Sequence, residues 1–119
     1  MTTFALGEVI AIRTLVQNLE TSEKTVVVKL GRPQQGADAH EFVCPFVVQG
    51  VGDDRVHVAY GVDAFQALQE AIRVLSMYLH EKVNPRFGNT LRWIGGKSGD
   101  IGFIRPSVSR DVDEHEADW

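Results

Sequence analysis

The stretch "DAFQALQEAIRVLSMYLHEKV", residues 63–83, decides how the chain is built, because the apolar period changes there. Phe65, Leu68, Ile72, Leu75 and Leu79 recur at the three-and-four spacing of one helical face, supported by Ala64, Ala71 and Tyr78. Gln69, Glu70, Arg73 and Glu81 fall outside it. Asp63 can accept from the first-turn amides, and Gln66 stands three residues on, where a capping-box partner belongs. Asn84-Pro85 ends the helix, since the residue before proline avoids helical dihedrals. The spacing predicts one long amphipathic helix with the Phe65–Leu79 stripe buried.

Upstream the period is two. "GEVIAIRTLVQNL" and "TVVVKLG" are rich in β-branched residues and flank the polar turn "ETSEK", which predicts a hairpin. "RPQQGADAH" is a loop by its proline, glycine and small polar residues. In "EFVCPFVVQ", Phe42, Cys44, Phe46 and Val48 share one face, and Glu41, Val43, Pro45, Val47 and Gln49 share the other. Pro45 cannot donate to a ladder, so an edge or a bulge is expected there. "RVHVAY" makes a fourth strand, with Val56, Val58 and Tyr60 alternating against Arg55 and His57.

Short connections favour an antiparallel meander, and one helix can cover one of its faces. The expected fold is α+β: a four-stranded antiparallel meander packed on one long amphipathic helix, in the order β-β-β-β-α, with a short extended C-terminal segment. Val27, Val43 and Val47 are expected on the uncovered face.

The 119 residues are 44% apolar and 24% charged, which suits one soluble globular domain. Acidic Asp111, Asp113, Glu114, Glu116 and Asp118 stand against Arg110 alone in residues 107–119. Residues 1–106, by contrast, hold 11 basic and 11 acidic side chains. The expectation is a neutral domain over 1–106 and an acidic, disordered tail over 107–119, with Trp119 as an aromatic anchor in the sharper reading. A neutral body argues against nucleic-acid binding, which needs a basic surface. The N-terminus lacks the basic flank of a signal peptide and, with Glu8 and Arg13, is no membrane span. With Cys44 as the single cysteine, these features point to the cytoplasm.

"LRWIGGKSGDIGFIRP", residues 91–106, holds a Gly-Lys-Ser within a glycine-rich run. A phosphate-binding P-loop needs glycine where Leu91 stands and a helix after Ser98, and neither is present. Gly96, Gly99 and Gly102 are each three apart, so the dinucleotide fingerprint fails as well. Two tight turns folding "LRWI" back on "IGFI" account for the glycines. The functional alternative is a loop over 95–102 that presents Arg92, Trp93, Lys97, Asp100 and Arg105 to a ligand, since Trp and Arg dominate interface hot spots.

No catalytic constellation emerges. Cys44 falls on the apolar strand face and reads as core. Ser76 and Ser98 lack a nucleophile motif, and His40, His57, His80 and His115 show no metal spacing. No cofactor and no metal is expected.

The pieces "GRP" (31–33), "CPF" (44–46), "AYGVDAFQAL" (59–68), "LRWIGG" (91–96) and "GDIGF" (99–103) together resemble an uncharacterised bacterial family of small domains of unknown function. The resemblance covers most of residues 8–105. It implies a compact stand-alone domain and carries no activity. If the Trp93 segment lies beside the sheet or at the helix end, Arg32, Tyr60, Arg92 and Trp93 would form an aromatic and basic pocket. The expected function is that of a non-enzymatic interaction or accessory domain, acting through a protein partner or a homodimer. The alternative is a small-ligand binder or enzyme using the glycine-rich loop with Arg92, Trp93 and Asp100.

Overall fold

A computed structural model describes residues 4–105, so the tail expected over 107–119 lies outside the described residues. The architecture is α+β. Strands β1 (Val9–Asn18), β2 (Glu23–Gly31), β3 (Gln34–Gln35), β4 (Phe42–Gln49) and β5 (His57–Gly61) form one antiparallel sheet, and helix α1 (Ala64–Tyr78) follows them. The β1–β2 hairpin closes where the Leu19 amide donates to the Ser22 carbonyl at 2.8 Å.

β4 pairs with β2 through Phe46–Gln49, with β3 through Phe42–Val43 and with β5 through Phe42–Phe46. A strand has two edges, so β2 and β3 share one and β5 takes the other. The spatial order is therefore β1, β2 with its continuation β3, β4, β5: a meander with one broken strand. Pro45 is thus on a central strand, not at an edge. On one side it falls opposite the gap between β2 and β3, and on the other it pairs with Val58 of β5.

Alternation decides the core. Leu15, Val26, Val28, Leu30, Cys44, Phe46, Val48 and Ala59 are buried on the helix side of the sheet. Ala67, Ala71, Leu75 and Leu79 meet them from the helical segment, and Leu91 and Ile101 close the end. Burying a Leu- or Phe-sized side chain contributes about 1.5–3 kcal/mol, so this contiguous set is the main source of stability. On β5 the helix-facing residues are His57 and Ala59, not the Val58–Tyr60 series. Phe46 pairs with His57 and stacks on its ring, centroids 5.2 Å apart.

Two expectations about faces need correction. Phe65 and Ile72 are not buried; they are 75% and 43% exposed, while the smaller Ala67 and Ala71 face the sheet. The reason is close approach: a methyl group at Gly61 would lie 2.4 Å from the Ala67 amide nitrogen. Only short side chains fit between the end of β5 and the first turns of α1. Nor are Val43 and Val47 an uncovered face, since they are 0% and 3% exposed. Leu6 lies over Gly31 beside Pro45, its Cδ1 3.3 Å from where a methyl group at Gly31 would be.

Asp63 caps α1, its Oδ1 accepting from the Gln66 amide at 2.8 Å, and Gln66 Oε1 accepts from the Val62 amide at 2.7 Å. Helical winding does not stop at Asn84-Pro85. A π turn (Leu79–Val83) and a 3-10 turn (Asn84–Phe87) follow α1, with Pro85 at a first-turn position where its missing N–H costs nothing. Gly88, at φ 65°, ends the run.

Candidate functional site

Only Val62 and Asp63 separate β5 from α1, so the helix must lie over β5 and its neighbour β4. The helix-side face of β1 and β2 is left to other residues. An open, mostly apolar groove of about 200 Å³ forms there, lined by Ala11, Ile12 and Arg13 of β1, Val28 and Leu30 of β2, Ile72 and Leu75 of α1, and Phe103. Phe65, one heptad before Ile72, stands exposed on the same flank of the helix. Further along this flank, Ser76 Oγ donates to the Ile104 carbonyl and His80 Nε2 lies 2.8 Å from the Phe103 carbonyl oxygen. These bonds fix Phe103 at the groove wall.

Arg13 forms the polar end of the groove. Its guanidinium lies 4.8 Å from the Trp93 ring centroid and 4.9 Å from that of Phe103, and Nη1 donates to the Gly102 carbonyl at 2.6 Å. Each cation–π contact is worth about 0.5–1 kcal/mol at such exposure. Arg13 is therefore held in place by two rings and a carbonyl.

The glycine-rich loop has a physical explanation in Trp93. A methyl group at Gly95 would lie 2.5 Å from the indole, one at Gly96 2.7 Å and one at Gly102 2.9 Å. Three glycines therefore wrap one half-buried tryptophan. Two turns fold the segment back as the sequence suggests: Gly96 donates to the Trp93 carbonyl and Asp100 to the Lys97 carbonyl. Trp93 N and Gly99 N bind the carbonyls of Asp100 and Leu91, both at 3.0 Å. The Trp93 indole N–H is buried and finds no acceptor among the described residues.

The expected pocket of Arg32, Tyr60, Arg92 and Trp93 does not assemble. Arg92 pairs with Val16 on the outer edge of β1, with backbone hydrogen bonds of 2.9 and 3.0 Å. Arg32 lies at the other end of the hairpin, its amide bonded to the Glu8 carbonyl and its guanidinium 3.1 Å from the Glu8 carboxylate. The eight residues from Glu8 to Val16 separate them by about 26 Å at 3.3 Å per residue. Tyr60 is on β5, 52% exposed and facing away from the helix, about four strand spacings or ~19 Å from the Arg92 edge. Asp100 is occupied locally, Oδ1 accepting from the Gly102 amide at 2.9 Å, and Arg105 is exposed.

What does come together is Arg92 with Lys97. They line a second, polar groove of about 530 Å³ with Gln17, Asn18, Leu19, Thr90, Gly96 and Ser98. Sequence reading had no access to Gln17 and Asn18, which reach this groove only through the Val16–Arg92 bridge.

Two titratable groups lie in the interior. Cys44 is fully buried, and burial pushes its thiol up to about 11. Burial first, then the Arg55 charge, holds the His57 imidazole below its ordinary value. Among the described residues no three His, Cys, Asp or Glu side chains form a metal-binding group, and no helix is long and apolar enough to cross a membrane.

Neither the curated proteins nor the solved structures contain a match to this chain. A family model spans residues 11–105, from within the groove-forming strand β1 to the segment beside Ser76. The chain belongs to that family, described as "Domain of unknown function (DUF6968)".

Proposed function

We propose that this is a non-enzymatic interaction domain that receives an apolar segment of a protein partner in the groove between β1–β2 and α1. One observation carries the reading: among the described residues a single α-helix leaves two strands of the sheet partly uncovered, and Ile72 lines that opening with the exposed Phe65 one heptad before it on the same flank. The groove offers room for one or two side chains, and Arg13 at its end offers a fixed cation to a carboxylate or carbonyl of the incoming segment. Such a combination of an apolar pocket and a charged rim is the usual anatomy of a recognition surface. The balanced charge of residues 1–106 favours a protein over a nucleic acid as partner, and the buried free thiol suits a cytoplasmic setting.

The test compares the full chain with the double variant Phe65→Ser, Ile72→Asn in affinity capture and native mass spectrometry. Both positions are exposed, so the variant should fold, as circular dichroism will show. The expected result is loss of the captured protein by the variant and its retention by a Lys97→Ala control. If the wild type is instead a dimer that the variant dissociates, the occupant is a second copy. A folded variant that retains every partner and its oligomeric state would refute the assignment.

A further inference from the structure

We infer that the polar groove beside the glycine-rich loop is a second site, for the phosphate group of a small molecule. The argument does not depend on the apolar groove. Two cations, Arg92 and Lys97, line it together with the Ser98 hydroxyl, and no carboxylate is among its lining residues. The Thr90 hydroxyl also faces it, but its proton is held by the Phe87 carbonyl. Charge of this size suits a dianion.

The wall is built rather than incidental. The Arg92 backbone is bonded through both N and O to Val16, and its Nε donates to Asn18 Oδ1 at 3.1 Å. This leaves the two Nη atoms without a partner among the described residues, at the end of an anchored side chain. A guanidinium fork fixed at Nε loses little entropy on gripping two oxygens. Gln17 Nε2 is held by the Phe87 carbonyl and Thr90 Oγ1, both at 2.9 Å, which fixes the floor. Opposite, the turn at Lys97–Asp100 brings the ammonium and the Ser98 hydroxyl, and the amides of Lys97 and Ser98 donate to no backbone carbonyl among the described residues.

This is not a P-loop, since no helix N-terminus contributes. The binding elements are a strand-anchored arginine and a turn. Trp93 and Asp100 are not part of the site; Trp93 supports the loop from below through Gly96, and Asp100 pins its exit at Gly102. The nearest acid in the bonding network is Glu23, 3.4 Å from Asn18 Nδ2, so an incoming phosphate meets one carboxylate behind Asn18.

The experiment is an amide-resolved NMR titration of the full chain at low ionic strength with inorganic phosphate, pyrophosphate and acetate in separate arms. Saturable shifts confined to Gln17–Leu19 and residues 90–99, stronger for phosphate or pyrophosphate than for acetate, are expected. Lys97→Ala and Arg92→Lys should each weaken the apparent affinity about tenfold, the loss of one charge-assisted contact, with the rest of the spectrum unchanged. Acetate saturating the same amides equally well would make the site a general anion site and overturn the phosphate assignment. Non-saturating shifts spread over all surface cations, or wild-type affinity in Lys97→Ala, would overturn the site itself.

Discussion

Replacing Asn84 by alanine tests the tether that holds the Leu91–Trp93 segment, which carries Arg92 of the polar groove and the Trp93 ring that holds Arg13. Asn84 is 5% exposed, and its Oδ1 accepts from the Leu91 amide at 3.0 Å, while Leu91 itself is fully buried. Without that acceptor the Leu91 N–H is left buried and unpaired, which costs about 1–3 kcal/mol. The bond from Nδ2 to the Gly99 carbonyl is at the 3.5 Å limit and adds little. The backbone carbonyl of Asn84 still accepts from Asn89, so the 3-10 turn survives. The expected loss is therefore about 2 kcal/mol, equivalent to a Tm lower by roughly 6–10 °C in a chain of this size. Urea unfolding measures it, with an unchanged m-value as the sign that only stability has moved. Amide exchange should rise together at Arg92 and Val16, which bond to each other. A loss below about 0.5 kcal/mol, the level of an ordinary surface substitution, would show that Leu91 has another acceptor and that Asn84 does not tether the segment.

Gly95→Ala drives a methyl group into the Trp93 ring and should cost about 1–3 kcal/mol by overpacking; in a Trp93→Ala background the cost should vanish, as a double-mutant cycle by urea unfolding will show. His57 makes stability depend on pH: its folded value lies below the unfolded one near 6.5, so the contribution is full above that pH. It is lost progressively as pH falls from there towards the folded value, because the unfolded chain then binds the extra proton. His57→Phe, which keeps the ring on Phe46, should flatten this part of the urea-midpoint profile; an unaltered slope would show that His57 does not carry it. Cys44, with its thiol raised to about 11, should stay unlabelled by a thiol reagent in the native protein at neutral pH and react fully in urea.

Much of this architecture is legible from period alone. The hairpin, the face of Phe42, Cys44, Phe46 and Val48, the Asp63 cap and the failure of Gly-Lys-Ser as a phosphate loop all depend on neighbours in sequence. What period cannot report is the distance of approach. Phe65, Leu68 and Ile72 form the bulkier helical stripe, yet Ala67 and Ala71 are buried instead, because Gly61 lets the sheet come too close for a large side chain. Long-range pairing is equally hidden. No neighbour in sequence tells that Arg92 and Arg32 lie at opposite ends of the hairpin; the Val16–Arg92 bridge and the Arg32–Glu8 bond place them there.

The position of the apolar groove, by contrast, follows from two facts that sequence does hold. Four paired strands span about 14 Å between the outer two at ~4.8 Å per spacing, whereas one helix with its side chains is about 10 Å across. A single helix must leave part of that face open. The two-residue link after Gly61 then decides which part, since it is too short to carry the helix beyond β4. The opening therefore has to lie over β1 and β2, and the chain closes half of it with the segment held by Ser76 and His80. The other half, beside Ile72 and Phe65, has no described residue over it and remains apolar. An exposed Phe and Ile lower solubility and gain nothing for this fold by themselves. Exposed apolar side chains occur elsewhere too, Ile94 and Ile104 among them. Ile72, however, is the one that lines this opening, with Phe65 one heptad before it, and that continuity is what makes the unclosed half the surface to test first.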